Sequence, residues 1–140
     1  MSDTVGSILN SSGEGSLTIE YNGKKYTAGL ITQKVKAEFE KRMEKKALDS
    51  VFSMKDRLEP VEFREAISSV TRDIASGIYS FGSENSIAAL STPSGALSFA
   101  SILFSAPESE IQDVMLAEND RFEAVMELVR DKSFPNGKKV

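Results

Sequence analysis

Hydrophobic and polar residues change their spacing early in the chain, and the first pattern is that of a strand. Leu17, Ile19 and Tyr21 alternate with polar residues, which is the two-residue repeat of a half-buried strand. Asn22-Gly23 follows, and this dipeptide favours a type I′ turn because both central residues of that turn need a positive φ. A second short run ends at Ala28, so residues 16–28 predict a β-hairpin.

Beyond Thr32 the apolar residues recur every three or four positions, which predicts amphipathic helices. The first helix is predicted from about Gln33 to Lys55, with Thr32 as its N-cap. Its opposite face is densely charged. Its apolar stripe consists of Val35, Phe39, Met43, Ala47, Val51 and Met54, widened by Leu48 and Phe52.

Further helices are marked by residues that start or stop a helix. Pro60 suits the first turn of a second helix, and Ser83 can cap a short one. Thr92 is a cap for an uncharged segment, residues 96–106, which predicts the central buried helix. Pro107 opens another helix, and Asp120 can cap the last. The pattern therefore predicts a mainly α fold: a helical domain of about five or six helices with an N-terminal β-hairpin.

The ends of the chain differ in composition from its middle. Residues 1–15 are rich in Ser and Gly and are predicted to form a flexible N-terminal arm. Residues 16–132 are expected to form a single helical domain with the hairpin at 16–28, since a chain of 140 residues suits one core. Residues 133–140 are predicted to be a C-terminal tail.

The chain contains no Cys and no His. Thiolate nucleophiles, disulfides, Cys/His zinc sites and imidazole bases are therefore excluded. No glycine spacing fits a phosphate-binding loop, and the carboxylate pairs are explained by helix starts and polar faces. We expect no catalytic residues, no cofactor and no metal. The polar start does not resemble a signal peptide, and no apolar run approaches the roughly 20 residues that span a bilayer.

Charge is segregated along the chain. Residues 24–46 carry eight basic and three acidic side chains, whereas residues 108–131 carry eight acidic and two basic ones. One interpretation is a polar partner site or electrostatic self-association, centred on Lys41, Arg42, Lys45 and Lys46. The other is a pair of solvated faces, which is the commoner meaning of such runs. Nucleic-acid binding is not favoured, because acids interrupt the basic stretch and it lacks exposed aromatics for stacking.

Methionines lie on several of the predicted apolar faces. Met115 and Met126 are candidates for a partner-binding groove, because the flexible thioether side chain adapts to different apolar surfaces. Ordinary core packing is the alternative interpretation, and it is the more common one.

Several blocks of the sequence resemble a known family. The hairpin with Asn22-Gly23-Lys24-Lys25-Tyr26 leads into a helix, and it is followed by Arg72-Asp73-Ile74-Ala75 and Tyr79-Ser80-Phe81-Gly82. This order resembles small proteins encoded among the tail genes of tailed bacteriophages, similar to tail assembly chaperones. The resemblance covers about residues 17–105, and the block ending in Tyr79-Ser80-Phe81-Gly82 is its most specific part.

The resemblance implies a non-enzymatic protein of the host cytoplasm. Such a protein binds the tape-measure protein, or another tail protein, and keeps it in solution while the tail is built. A homo-oligomer is compatible with this role, and no membrane is involved. The alternative is a structural subunit of the phage particle, a tail or head–tail connector component, which would be found in the virion.

Overall fold

The computed structural model describes residues 16–134, and these residues are mostly helical. A two-stranded antiparallel sheet is followed by six α-helices and one 3₁₀ turn, Lys55–Arg57. The prediction of a mainly α fold with an N-terminal hairpin is confirmed. The strands are β1 (Thr18–Tyr21) and β2 (Lys24–Thr27), and the helices are α1 (Gln33–Phe52), α2 (Pro60–Ala75), α3 (Glu84–Leu90), α4 (Pro93–Phe104), α5 (Glu108–Ala117) and α6 (Asn119–Ser133).

The hairpin has the tight turn that its sequence predicts. Asn22 and Gly23 have φ values of 56° and 79°, so both central residues are in the left-handed region. Ile19 pairs with Tyr26, and both side chains are buried on one face of the sheet. On the other face the hydroxyls of Thr18 and Thr27 share a hydrogen bond of 2.9 Å.

The chain divides into two compact units, each with its own packing. Among the described residues, the hairpin unit comprises 16–35 and 97–134, and the middle unit comprises 36–96. The prediction of a single domain over 16–132 stays a prediction. The predicted arm, residues 1–15, lies outside the described residues, as do residues 135–140 of the predicted tail. Ser133, at the start of that predicted tail, is the last residue of α6.

The hairpin unit holds most of the buried apolar side chains. The extended segment after β2 joins α4 through the Gly29 amide, which donates to the Leu103 carbonyl at 2.8 Å. Phe104 stacks on Phe122 with 5.9 Å between ring centroids. The core of this unit consists of Ile19, Tyr26, Ala28, Phe99, Ala100, Leu103, Phe104, Ile111, Val114, Phe122, Val125 and Val129.

The middle unit is packed differently, around the segment that joins α2 to α3. Phe81 makes an edge-to-face contact with Phe39 at 6.2 Å, and its amide donates to the Glu40 carboxylate at 2.7 Å. The ring and the amide of Phe81 therefore both attach this segment to α1. Phe39 and Val51 are the buried apolar side chains described in this unit, so its core is small.

Helix boundaries follow the predicted caps with two corrections. Thr32, Ser83 and Thr92 accept hydrogen bonds from amides three residues ahead. The first helix ends at Phe52 and not at Lys55, because the Met54 amide bonds to the Val51 carbonyl and the chain tightens into the 3₁₀ turn. The last helix begins at Asn119, so Asp120 lies in its first turn and is not its cap.

Candidate functional site

The predicted basic residues lie on α1, and three of the four contact neighbours in the same unit. The Lys45 ammonium forms an ion pair of 2.8 Å with the Asp49 carboxylate, and the Arg42 guanidinium lies 3.5 Å from the Glu38 carboxylate. The Lys46 ammonium donates to the Ser94 hydroxyl at 3.1 Å. Lys41 is exposed to solvent. Two of the four cations are therefore paired with carboxylates one helical turn away, and such pairs stabilise a helix without needing a partner.

The two predicted methionines lie in the hairpin unit, on α5 and α6. Met115 follows the buried Val114, and Met126 follows the buried Val125. Both methionine side chains are half-buried, so each contributes to packing and keeps part of its surface accessible. They belong to a different unit from the four basic residues.

A polar cluster in the hairpin unit holds the hairpin against α5. The Glu110 carboxylate accepts hydrogen bonds from the Lys24 ammonium at 2.9 Å and from the Tyr26 hydroxyl at 3.0 Å. These bonds to Lys24 and Tyr26 hold the pKa of Glu110 below its ordinary value. The same carboxylate raises the pKa of Lys24. The cluster is a structural brace, because all three groups satisfy one another and Tyr26 is buried.

The middle unit leaves apolar surface uncovered along α2. This helix carries Phe63, Ile67, Val70 and Ile74 on one face, at the spacing of an amphipathic helix. None of the residues of α2 is fully buried, and these four are half-buried. An apolar helical face normally loses more of its solvent contact than this, so the face of α2 is only partly covered.

Large apolar side chains are also exposed where α1 ends and α2 begins. Phe52 is 53% exposed and Met54 is 38% exposed. The Phe52 ring meets the Phe63 ring edge to face at 5.6 Å, and the Lys55 ammonium lies 5.8 Å from the centre of the Phe63 ring. We call Phe52, Met54, Lys55 and Phe63 the apolar corner.

Two acidic residues between Lys55 and Phe63 of the apolar corner, Glu59 and Glu62, form the cap of α2. The Glu59 amide donates to the Glu62 carboxylate at 3.0 Å, and the Glu59 side chain accepts from the Glu62 amide in return. Both carboxylates are therefore used in a capping box. Lys55, Arg57 and Arg64 have no ion pair among residues 16–134. The corner thus presents two exposed apolar side chains, Phe52 and Met54, beside the Lys55 ammonium.

The apolar corner is not evident in the sequence, and the reason lies in the end of α1. Phe52 and Met54 continue the apolar stripe of α1, so the periodicity assigned them to the core. Because α1 ends at Phe52, the stripe is cut before these side chains reach buried positions. The signal that favours exposure is the polar run Lys55-Asp56-Arg57, which interrupts the helical pattern at this point.

The described residues contain no group of three or more acidic, His or Cys side chains placed to hold a metal ion. Within residues 16–134 no single helix is long and apolar enough to cross a membrane. The bent pair α3 and α4 reaches that length and composition only jointly, with an angle of 91° between them. No protein-family model, no curated protein and no solved structure matches this chain.

Proposed function

We propose that this protein is a non-enzymatic tail assembly chaperone of a tailed bacteriophage. It acts in the host cytoplasm, binds apolar helical segments of the tape-measure protein and keeps them in solution until the tail tube forms. The resemblance of residues 17–105 to such proteins supports the family. The apolar corner, together with the half-covered face of α2, supports the activity.

The exposed Phe52 carries the proposal. Phe52, at the end of α1, is 53% exposed, so in the free protein its aromatic ring lacks the favourable burial that a client could provide. Covering it yields roughly 25 cal/mol for each Å² of apolar surface removed from water. Met54 beside it is unbranched, so it can adjust to different client side chains. A chaperone requires such adaptable and reversible contacts, since its client is later released into the tail.

Co-expression with the tape-measure protein tests this proposal. We expect the soluble fraction of the tape-measure protein to rise when this protein is present, and the two proteins to co-purify without any added cofactor. If the tape-measure protein is equally soluble alone, the chaperone proposal is wrong.

A pair of double variants locates the contact. Phe52→Ser with Met54→Ser removes the apolar corner and should abolish the gain in client solubility. Ile87→Ser with Leu116→Ser removes two other exposed apolar side chains, which are 57% and 78% exposed, and should leave that gain intact. Equal loss in both double variants would show that general surface hydrophobicity, and not the apolar corner, holds the client.

Mass spectrometry of purified phage particles separates the proposal from the structural-subunit alternative. An assembly chaperone leaves before the particle is complete, so we expect this protein to be missing from mature particles. A stoichiometric amount in the particle, together with no effect on client solubility, would favour a tail or head–tail connector subunit.

A further inference from the structure

The two outer edges of the hairpin are not equivalent. On β1, the Thr18 amide bonds to the Ser16 hydroxyl at 3.2 Å, and the Thr18 carbonyl accepts from the Arg121 guanidinium at 2.9 Å. The outward-facing groups of Thr18 are therefore satisfied by side chains. This edge is blocked at Thr18 against another strand, which is a common way of protecting a sheet edge.

The outer edge of β2 is open. In the hairpin, Tyr21 is paired with Lys24 and Ile19 with Tyr26, and the Ala28 amide donates to the Leu17 carbonyl. In an antiparallel ladder every second residue bonds inward, so the backbone groups of Lys25 and Thr27 point away from β1. Both residues are exposed, and these backbone groups have no hydrogen-bond partner among residues 16–134.

We propose that this edge pairs with the same strand of a second copy of the chain. The two β2 strands lie antiparallel about a two-fold axis at Tyr26, which gives a four-stranded sheet in the order β1, β2, β2, β1. Lys25 then exchanges both backbone hydrogen bonds with Thr27 of the partner subunit, and the symmetry repeats the exchange. A two-fold contact of this kind is self-complementary and closes at a dimer.

The neighbouring residues fix this register. A two-fold axis at Lys25 would place Thr27 opposite Gly23 of the partner subunit, which belongs to the turn. An axis at Thr27 would place Lys25 opposite Gly29 of the partner subunit, whose amide is already bonded to the Leu103 carbonyl. The axis at Tyr26 uses all the outward groups of Lys25 and Thr27 and requires no existing hydrogen bond to break.

The side chains on the solvent face suit the same register. Glu20 lies opposite Lys25 within the hairpin, and Thr18 lies opposite Thr27. Across the new contact, Lys25 meets Thr27 of the partner subunit and not another lysine. Each row of the sheet therefore holds one acid, one base and two hydroxyls, with no like charges side by side. Because the contact is small, we expect a weak dimer whose population depends on protein concentration.

The test combines sedimentation with a matched pair of variants of the full chain. Lys25→Pro removes the outward amide, at a position where an edge strand tolerates proline. Lys25→Ser removes the same side chain and keeps the amide. We expect the wild type and Lys25→Ser to form dimers as concentration rises, and Lys25→Pro to remain a monomer with an unchanged circular dichroism spectrum.

A nuclear magnetic resonance measurement on the wild type tests the register without any variant. Opposite residues that do not exchange hydrogen bonds have Cα atoms about 4.5 Å apart, so a mixed isotope-labelled sample should show a Tyr26-to-Tyr26 Hα contact between subunits. The proposal is overturned if the wild type stays monomeric into the millimolar range. It is also overturned if dimers form without this contact, or if residues 1–15 of the same chain protect the Lys25 and Thr27 amides in the monomer.

Discussion

Gly95, in the first turn of α4, shows how a single hydrogen atom in place of a side chain allows two helices to approach. A Cβ at this position would overlap the Ala89 carbonyl and would also lie 3.0 Å from the Thr92 hydroxyl. The Gly95 amide donates to that hydroxyl, so the residue takes part in the cap as well. Because the obstacle is backbone, it cannot move aside as a flexible side chain would.

We therefore expect Gly95→Ala to lower the free energy of unfolding by about 1–3 kcal/mol, the usual range for overpacking. Gly29→Ala is the control, because the nearest atom to its added Cβ is the Leu103 carbonyl oxygen at an ordinary 3.7 Å. Urea unfolding measures both. A Gly95→Ala variant as stable as Gly29→Ala would contradict the close approach of α3 and α4 at this point.

Ser105 ends α4 in the left-handed region, with φ of 51°. The amide of the next residue, Ala106, donates to the Ser101 carbonyl at 3.2 Å. This hydrogen bond is typical of helix C-terminal caps in which glycine usually occupies the left-handed position. Ser105→Gly should raise the free energy of unfolding by about 0.5–1 kcal/mol, because glycine adopts this φ without steric cost. Ser105→Ala keeps the strain and should not stabilise. Thermal melts of the two variants distinguish these outcomes.

Residue-scale features were predictable where one side chain acts on its near neighbours. The sequence predicts three N-caps correctly, Thr32, Ser83 and Thr92, since a cap contacts an amide only three residues away. Glu59 was not identified, because glutamate is an uncommon N-cap and is effective here only through its reciprocal bond with Glu62. The clash at Gly95 depends on the angle between two helices, which no local pattern reports.

At the scale of elements, the part of α4 in the hairpin unit, residues 97–104, is the apolar centre of that unit. Leu103 is 3% exposed and Phe99 and Phe104 are also buried, as the uncharged segment predicted. Leu103→Ala should cost about 2–5 kcal/mol, from lost burial and the cavity left behind. The same substitution at the exposed Leu116 should change stability by less than about 0.5 kcal/mol. Equal effects at the two positions, measured by urea unfolding, would refute the assignment of α4 to the core.

The brace between the hairpin and α5 makes stability depend on pH. The pKa of Glu110 is lower in the fold than its ordinary value of 4.5, so the stabilisation is present above that value and is lost as pH falls through the folded pKa. Lys24 and Tyr26 have raised pKa values, so their contributions are lost as pH rises through the alkaline range. The brace therefore works between these two limits.

Glu110→Gln should lower the urea midpoint at pH 7, and its difference from wild type should shrink as pH falls below the ordinary value of 4.5 and through the lower folded pKa of Glu110, where the wild-type carboxylate becomes protonated. Because the Lys24 and Glu110 side chains are 60% and 38% exposed, added salt should reduce the difference too. Glu123→Gln is the matched control, since Glu123 is exposed and has no ion pair among residues 16–134. A difference that stays constant with pH would exclude a charged brace.

Element types followed from the sequence because they depend on local periodicity. The hairpin was specified by Asn22-Gly23 between alternating runs, and helices were specified by the spacing of their apolar residues. The brace was not predictable, since Lys24 and Glu110 are 86 positions apart and meet only through the fold. The sequence predicts the end of α1 at Lys55, three residues beyond its observed end at Phe52. The reason is that the apolar spacing continues to Met54, whereas the backbone already tightens there.

At the scale of the whole molecule, apolar burial is unequal between the two units. The hairpin unit contains twelve buried apolar side chains, whereas the middle unit buries only Phe39 and Val51 among its described apolar side chains and leaves α2 half covered. The predicted site residues Lys41, Arg42, Lys45 and Lys46 lie in the middle unit, where Arg42 and Lys45 are paired with carboxylates of the same helix, and their role as a partner site stays a prediction. The apolar corner is a second candidate surface, and it could not be predicted because exposure is a property of the folded chain.

Hydrogen–deuterium exchange of this protein, with and without the bound tape-measure protein, tests the central claim most directly. The claim is that the apolar corner and the face of α2 bind the client. Client binding should slow amide exchange in peptides that cover residues 49–75, because covered and ordered helix opens less often. Exchange elsewhere in the middle unit should change less. If client is bound while exchange in residues 49–75 is unchanged and another segment is protected, the apolar corner is not the binding surface.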